Sequence, residues 1–189
     1  MLAAALLTGC AGAVIGAGAS AGAAAAEERG LDGALDDTKI RAQIDEAWFR
    51  RDFEMYRKVG LTIHGGRVLL TGVVADETAR TEAVRLTWQA AGVKEVYNEI
   101  DVVPAGQELG DRANDTWIEE KLKAKLLFDK DIRNINYQID VVNGVVYLMG
   151  IAQNDAELDR VIAYARDVAH VKRVVSHVIL KTDPRRVSG

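Results

Sequence analysis

The sequence predicts an α+β protein made of two tandem copies of one small domain, each with the order helix, strand, strand, helix, strand. The first observation is an internal repeat: residues 37–102 align without a gap on residues 115–180 when displaced by 78 positions. The second is that each copy places two alternating apolar segments around a glycine-containing turn, with helical patterns before and after them. These patterns predict two helices packed on one face of a three-stranded sheet in each domain.

The first helix of each copy is indicated by apolar residues at helical spacing. The stripe consists of Ile40, Ile44, Ala47 and Trp48 in copy one, and of Ile118, Leu122 and Leu126 in copy two. Asp37-Thr38 and Asp115-Thr116 precede these stripes, and their side-chain oxygens can accept the free amide hydrogens of a first helical turn. We therefore expect the first helices to begin at these aspartates.

Two strands joined by a tight turn follow in each copy. Gly65-Gly66 and Asn143-Gly144 stand at equivalent positions between alternating apolar segments. Both central residues of the common two-residue hairpin turn have positive φ, which glycine and asparagine tolerate. The pattern predicts two β-hairpins, with Gly72 and Gly150 ending the second strand of each.

The second helix and the last strand complete the unit. Helical patterns begin at Asp76 and at Asn154, and alternating apolar segments follow at residues 96–102 and 174–180. The repeat places the domains at residues 37–103 and 115–182.

Residues 104–114 form a short polar linker, and residues 183–189 form a C-terminal tail.

The N-terminal segment is unlike the repeats. Residues 1–26 contain no charged side chain and consist mostly of Ala, Gly and Leu, so they indicate a targeting segment or tether. Cys10 is the one cysteine of the chain, and the preceding Leu6-Leu7-Thr8-Gly9 resembles a bacterial lipobox. The resemblance implies a signal peptide over residues 1–9 and a lipid-modified, acylated Cys10. The alternative is an incidental cysteine in an alanine-rich leader.

The resemblance to lipoproteins also sets expectations about location. Residues 10–36 are rich in small residues and are expected to form a flexible tether. Ala11 follows the cysteine instead of Asp, which in lipoproteins of Gram-negative bacteria implies transport to the outer membrane. A signal peptide has a basic start and a longer apolar run, so we expect the leader to extend upstream of Met1.

The charge distribution argues against a nucleic-acid partner, and the motif content argues against catalysis. The net charge of −4 comes from interspersed acids and bases, so we expect no nucleic-acid partner. His64, His170 and His177 lack metal-ligand spacing, and Gly65-Gly66 joins two strands instead of opening a helix as a phosphate loop does. We therefore expect no enzyme activity, cofactor, metal ion or small-molecule substrate.

The two copies differ on the outer side of their first helix. Four positions share one side of it: Lys39, Gln43, Glu46 and Arg50 in copy one, and Trp117, Lys121, Ala124 and Phe128 in copy two. Copy one is an ordinary solvated face, whereas copy two is aromatic and flanked by Lys123 and Lys125. Tryptophan and lysine are used in peripheral membrane contacts. Packing of Trp117 and Phe128 against the first domain, or within the second, is the alternative.

Each repeat resembles the BON domain. The resemblance lies in the glycine-bounded strand motif and the later Val-Lys-x-Val motif: Gly66-Arg67-Val68-Leu69-Leu70-Thr71-Gly72 with Gly92-Val93-Lys94-Glu95-Val96, and Gly144-Val145-Val146-Tyr147-Leu148-Met149-Gly150 with Val171-Lys172-Arg173-Val174. Two such domains behind a lipobox resemble outer-membrane lipoproteins that face the periplasm and support envelope integrity.

In those lipoproteins the first helix of the second domain binds anionic phospholipid. The resemblance therefore implies a membrane contact through Trp117, Lys121, Ala124, Lys125 and Phe128. Two alternatives remain: an unlipidated periplasmic stress or chaperone-like protein, and an adaptor that docks onto an envelope protein assembly through a groove between its domains.

Overall fold

The computed structural model describes residues 26–28, 30–104 and 111–186, so Cys10 and the predicted signal peptide lie outside the described residues. The elements of the first domain are helices α1 (Gly30–Arg51), α2 (Phe53–Lys58) and α3 (Glu77–Trp88), and strands β1 (Val59–His64), β2 (Arg67–Val74), β3 (Glu95–Asn98) and β4 (Asp101–Val102). Those of the second are helices α4 (Arg112–Phe128) and α5 (Asp155–Asp167), and strands β5 (Tyr137–Val142), β6 (Val145–Ala152) and β7 (Arg173–Leu180). The predicted order is confirmed; the short helix α2 was not predicted.

Both sheets have the same topology. In the first, β1 pairs antiparallel with the central β2, which pairs in parallel with β3 and β4. In the second, β5 pairs antiparallel with the central β6, which pairs in parallel with β7. The hairpin turns fall at Gly65-Gly66 and Asn143-Gly144, as predicted, and all four residues have positive φ.

Each domain has its own core between its helices and one face of its sheet. The predicted helix stripes are buried there, with Ile44, Ile118 and Leu122 fully buried. Residues of the central strand, such as Val68 and Leu70 in the first domain, pack against these helix stripes. The second helices begin where predicted, because Asp76 accepts a hydrogen bond from the Ala79 amide and Asn154 from the Glu157 amide, each over 2.9 Å. The α+β architecture with helices on one face of each sheet is confirmed.

The predicted starts of the first helices are wrong. Helix α1 begins at Gly30, so residues 30–36 are helical instead of belonging to the flexible tether. Helix α4 begins at Arg112, and its cap is Asp111, whose carboxylate accepts a hydrogen bond from the Ala113 amide over 2.9 Å. Asp37 and Asp115 therefore lie inside helices.

The two aspartates instead stabilise the hairpin turns. The Asp37 carboxylate accepts hydrogen bonds from the Gly65 and Gly66 amides, both over 2.8 Å. Asp115 does the same in the second domain, accepting from the Asn143 amide over 2.8 Å and from the Gly144 amide over 2.7 Å. Each aspartate thus satisfies two backbone donors that a two-residue turn exposes, and it ties the first helix to the hairpin.

The domains pack through the sheet faces that their helices leave uncovered. Leu69 on β2 and Tyr147 and Met149 on β6 are buried together in a third apolar cluster. The layers are consequently helices, sheet, sheet, helices, with the helices of the two domains on opposite outer sides. Arg67 is also buried here; its guanidinium donates to the His177 and Gly150 carbonyl oxygens, each over 2.9 Å.

This interface is close to twofold symmetric. Strand β1 contacts β6, and β2 contacts β5, which is the reciprocal pattern that a twofold axis produces between equivalent elements. Leu69 and Tyr147 occupy the same repeat position, and so do Glu99 and His177. The latter two pair with each other, with 3.0 Å between a Glu99 carboxylate oxygen and the His177 Nε2.

The residues that precede α1 dock onto the second domain. The Glu28 carboxylate pairs with the Arg133 guanidinium over 2.8 Å and with the Lys181 ammonium over 3.2 Å. The Glu28 amide donates to the Asn136 side chain over 3.0 Å. Glu28 is therefore held on the second domain, although it lies within the segment expected to be a flexible tether.

Candidate functional site

Helix α4 presents two different sides. Ile118, Leu122 and Leu126 face the core and are buried. The outer side carries the predicted set Trp117, Lys121, Ala124 and Phe128, all exposed, and these four residues are called the α4 face below. The spacing of i, i+4, i+7 and i+11 places them along one line of the helix.

Trp117 lies at the start of this face and keeps 42% of its surface exposed. Its ring contacts within the described residues come from the second domain: the His170 ring stands edge-on with centroids 5.9 Å apart, and the Lys121 ammonium lies 5.7 Å from the ring centroid. The alternative that Trp117 packs against the first domain is wrong. A cation beside an exposed indole forms an amphipathic surface.

The far end of the α4 face is more apolar than predicted. Phe128 is 82% exposed, and the neighbouring Leu127 is 61% exposed. Leu127 is not among the predicted site residues, because it follows Leu126 of the core stripe and could equally lie at the edge of the core. Phe128 and Leu127 together form an apolar tip where α4 ends.

The lysines near the face are not equivalent. Lys125 is half-buried, and its ammonium pairs with the Asp167 carboxylate over 2.7 Å while lying over the Tyr164 ring. Lys123 pairs with Glu119 and Glu120, and the hydrogen bond to Glu119 raises the pKa of Lys123.

Lys121, in contrast, forms no ion pair within the described part of the chain. Of the two predicted site lysines, Lys121 is therefore the cation of the α4 face that could pair with an anionic ligand.

The equivalent side of α1 is solvated, as predicted. Lys39 pairs with Asp36 over 2.9 Å, and Arg50 pairs with Glu46 over 2.6 Å. All four side chains are more than half exposed. The charges on this side are therefore matched within the helix.

The first domain has a different exposed apolar feature, which was not predicted from the sequence. Phe49, Phe53 and Tyr56 contact one another at the junction of α1 and α2, with ring centroids 5.7–6.4 Å apart. Each ring is exposed, and the Arg57 guanidinium lies over the Phe53 ring. This aromatic cluster could not be recognised without α2, because the helix break at Asp52 is what brings the rings together.

A groove separates α1 from the sheet of the second domain. Its volume is about 750 Å³, and its walls include Ile40, Gln43, Lys94, Ile151 and Ile179. The α4 face contributes none of its lining. His64 is buried at its edge.

Within the described residues, no group of His, Cys, Asp and Glu side chains is arranged to hold a metal ion. None of the described helices combines the length and apolar character needed to cross a bilayer.

The duplicated αββαβ unit with its glycine-bounded strand defines the class of protein. The BON domain profile matches residues 36–104 and 114–182, and the chain belongs to the BON-domain family.

Three relatives are similar over most of this chain. It is 30% identical over 172 residues to "Outer membrane lipoprotein DolP" of Haemophilus influenzae, covering 89% of this chain and 87% of the relative. It is 40% identical over 147 residues to "Uncharacterized protein in gshII 5'region" of Anaplasma centrale, covering 78% and 96%. "Osmotically-inducible protein Y" of Escherichia coli is 29% identical over 141 residues, covering 74% and 70%.

Proposed function

We propose that this chain is a non-enzymatic lipoprotein of the cell envelope that contacts anionic phospholipid through the α4 face. It is anchored in the outer membrane through Cys10, faces the periplasm and supports outer-membrane integrity. The relative named as an outer membrane lipoprotein, 30% identical over most of both chains, supports the location. The observation that supports the lipid contact is the exposure of Trp117 and Phe128 on one side of α4, with the Lys121 cation between them.

The chemistry of the α4 face suits a bilayer surface. The indole of Trp117 is placed to enter the headgroup region, where an amphipathic ring is favoured. The Lys121 ammonium can reach a phosphate from the same side, which contributes roughly 1 kcal/mol at an anionic surface. Glu119 and Glu120 would repel such a surface, and Lys123, which pairs with both, offsets part of that repulsion.

Weak attachment of this kind is sufficient for a tethered protein. A lipid on Cys10 would hold the domains near the bilayer, so the α4 face would act at a high effective concentration. The lipid would supply the residence time, and the α4 face would supply orientation and headgroup preference.

The lipid contact is tested by liposome flotation of the full chain carrying Cys10→Ala, which removes the anchor. We expect flotation with vesicles of phosphatidylcholine and phosphatidylglycerol, and loss of flotation when Trp117→Glu is added. Lys39→Glu is the matched control, because Lys39 occupies the same repeat position on α1 and should not affect flotation. Circular dichroism of all variants checks that the fold is intact. Equal flotation of the Trp117→Glu variant and its parent would refute the proposal.

The anchor is tested separately in cells. Cys10→Ala should abolish labelling by a fatty-acid analogue and release the protein from membranes into the soluble fraction. Labelling that persists in this variant would show that Cys10 is not the acceptor.

A protein-binding role in the envelope is the second candidate, and the aromatic cluster favours it. Three exposed rings with an arginine are typical of the centre of a protein interface, where aromatic residues and arginine are enriched. A Phe49→Ser/Phe53→Ser variant that floats normally but fails to restore detergent resistance to a deletion strain would favour this role. Full restoration by that variant would argue against it.

A further inference from the structure

His170 stands beside the α4 face in an unusual backbone conformation. It precedes β7, and its φ is +67°, in the left-handed region that residues with a Cβ seldom adopt. The equivalent residue of the first repeat is Gly92, with φ of +97°. The second domain therefore accepts some backbone strain in order to place an imidazole where glycine would be unstrained.

Two positions at which the repeats carry different residues are in contact beside the α4 face. Lys39 and Gly92 of the first repeat correspond to Trp117 and His170 of the second. The two new rings contact each other, with centroids 5.9 Å apart and planes inclined by 73°. His170 is exposed, so its imidazole lies on the same surface as the indole that we propose to meet the bilayer.

Charged side chains occur on each element that adjoins His170. Helix α4 contributes Lys121, Asp115 and Glu120; helix α5 ends at Asp167; and the loop and strand that follow contribute Lys172 and Arg173.

Each of the three acids is engaged elsewhere. Asp115 accepts from the hairpin amides, Glu120 pairs with Lys123, and Asp167 pairs with Lys125. Within the described residues His170 forms no ion pair with any of them, so a proton on its ring would add positive charge to the surface.

We propose that His170 is a second, proton-dependent cation of the α4 face, so that attachment to anionic bilayers becomes tighter as the pH falls. This inference rests on the proposed lipid contact and names its regulation. Histidine is the side chain that ordinarily changes its charge between about pH 5 and 8, whereas phosphodiester headgroups stay anionic there. One added charge near an anionic surface strengthens binding about fivefold.

The test measures vesicle affinity at about pH 7.5 and 5.5, which spans the range in which histidine ordinarily titrates. The protein is the full chain with Cys10→Ala, and the vesicles are phosphatidylcholine with phosphatidylglycerol. We expect the parent to bind about fivefold more tightly at the lower pH and His170→Asn to bind equally at both. Asparagine is chosen because it tolerates positive φ and does not titrate. Lys121→Gln is the comparison: it should weaken binding at both pH values but keep the ratio between them.

The outcomes separate this inference from the function on which it rests. Equal binding of the parent at both pH values, or a pH effect that His170→Asn retains, would overturn the role of His170 while leaving the lipid contact standing. A pH effect of the same size on vesicles of phosphatidylcholine alone would also overturn it, because no anionic headgroup is present. Absence of binding to anionic vesicles at either pH would overturn the lipid contact and, with it, this inference.

Discussion

Replacing Asp115 with alanine should destabilise the second domain far more than a change in the first turns of a helix normally does. The Asp115 carboxylate accepts hydrogen bonds from the Asn143 and Gly144 amides at the hairpin turn. Alanine removes both acceptors and leaves two backbone donors of a half-buried turn without their partner.

The size of the effect follows from these contacts. Hydrogen bonds to a charged group contribute roughly 1.5–3 kcal/mol each, so the loss of two gives about 3–6 kcal/mol. Alanine has a higher helix propensity than aspartate, which returns at most about 0.7 kcal/mol. The net loss is therefore expected to be about 2–5 kcal/mol, a large part of the roughly 5–15 kcal/mol that stabilises a typical domain.

Urea unfolding monitored by far-ultraviolet circular dichroism gives the stability, and hydrogen exchange of the Asn143 and Gly144 amides reports on the turn itself. Thr116→Ala is the matched control: its hydroxyl donates to the Arg112 carbonyl on the exposed side of the same helix, and its replacement should change stability by less than about 0.5 kcal/mol. A loss below about 1 kcal/mol for Asp115→Ala, with unchanged exchange of the two amides, would refute the assigned role. Asp37→Ala should reproduce the result in the first domain, where the geometry is the same.

Three further predictions follow from packing. Gly150→Ala should lower stability by roughly 3 kcal/mol or more, because its Cβ would lie 2.0 Å from the Asn136 carbonyl oxygen; Gly65→Ala, with open space around it, should cost much less in a thermal melt. Arg67 of the first domain donates to two carbonyl oxygens of the second, so Arg67→Met removes both of these hydrogen bonds between the domains. The domains should then unfold in two calorimetric transitions instead of one, and a single unshifted transition would contradict this. The isolated fragment 111–186 should fold cooperatively yet self-associate through its uncovered sheet face, and a monomer in sedimentation analysis would count against that interface.

Much of each domain could be predicted because its signals are local. The helix stripes, the alternating strands and the glycine turns each follow from a fixed spacing, and the repeat supplies every pattern twice. The outward direction of Trp117 and Phe128 was among two open alternatives, and it follows once Ile118 and Leu122 are known to face the core.

The remaining features depend on contacts between distant segments. Asp37 looks like a helix cap in the sequence, and its acceptor role is visible only when the hairpin, 28 residues later, folds back onto α1. Tyr147 and Met149 sit on the strand face opposite the predicted core, where alternation alone predicts exposure to solvent. His170 lacks metal-ligand spacing in the sequence, and its contact with Trp117 joins two segments that no spacing rule connects.

The near-twofold interface has a consequence for what the duplicated chain can achieve. Two identical subunits related by such an axis must place the same side chain on both sides of it, so a carboxylate at the axis would face another carboxylate. Two copies in one polypeptide are free of that restriction, and here position 99 is Glu while its counterpart, His177, is the base that pairs with it. Leu69 opposite Tyr147 likewise combines a small and a large partner. The covalent link between the repeats thus permits two different, complementary side chains to face each other across the axis, where two identical subunits would place identical ones.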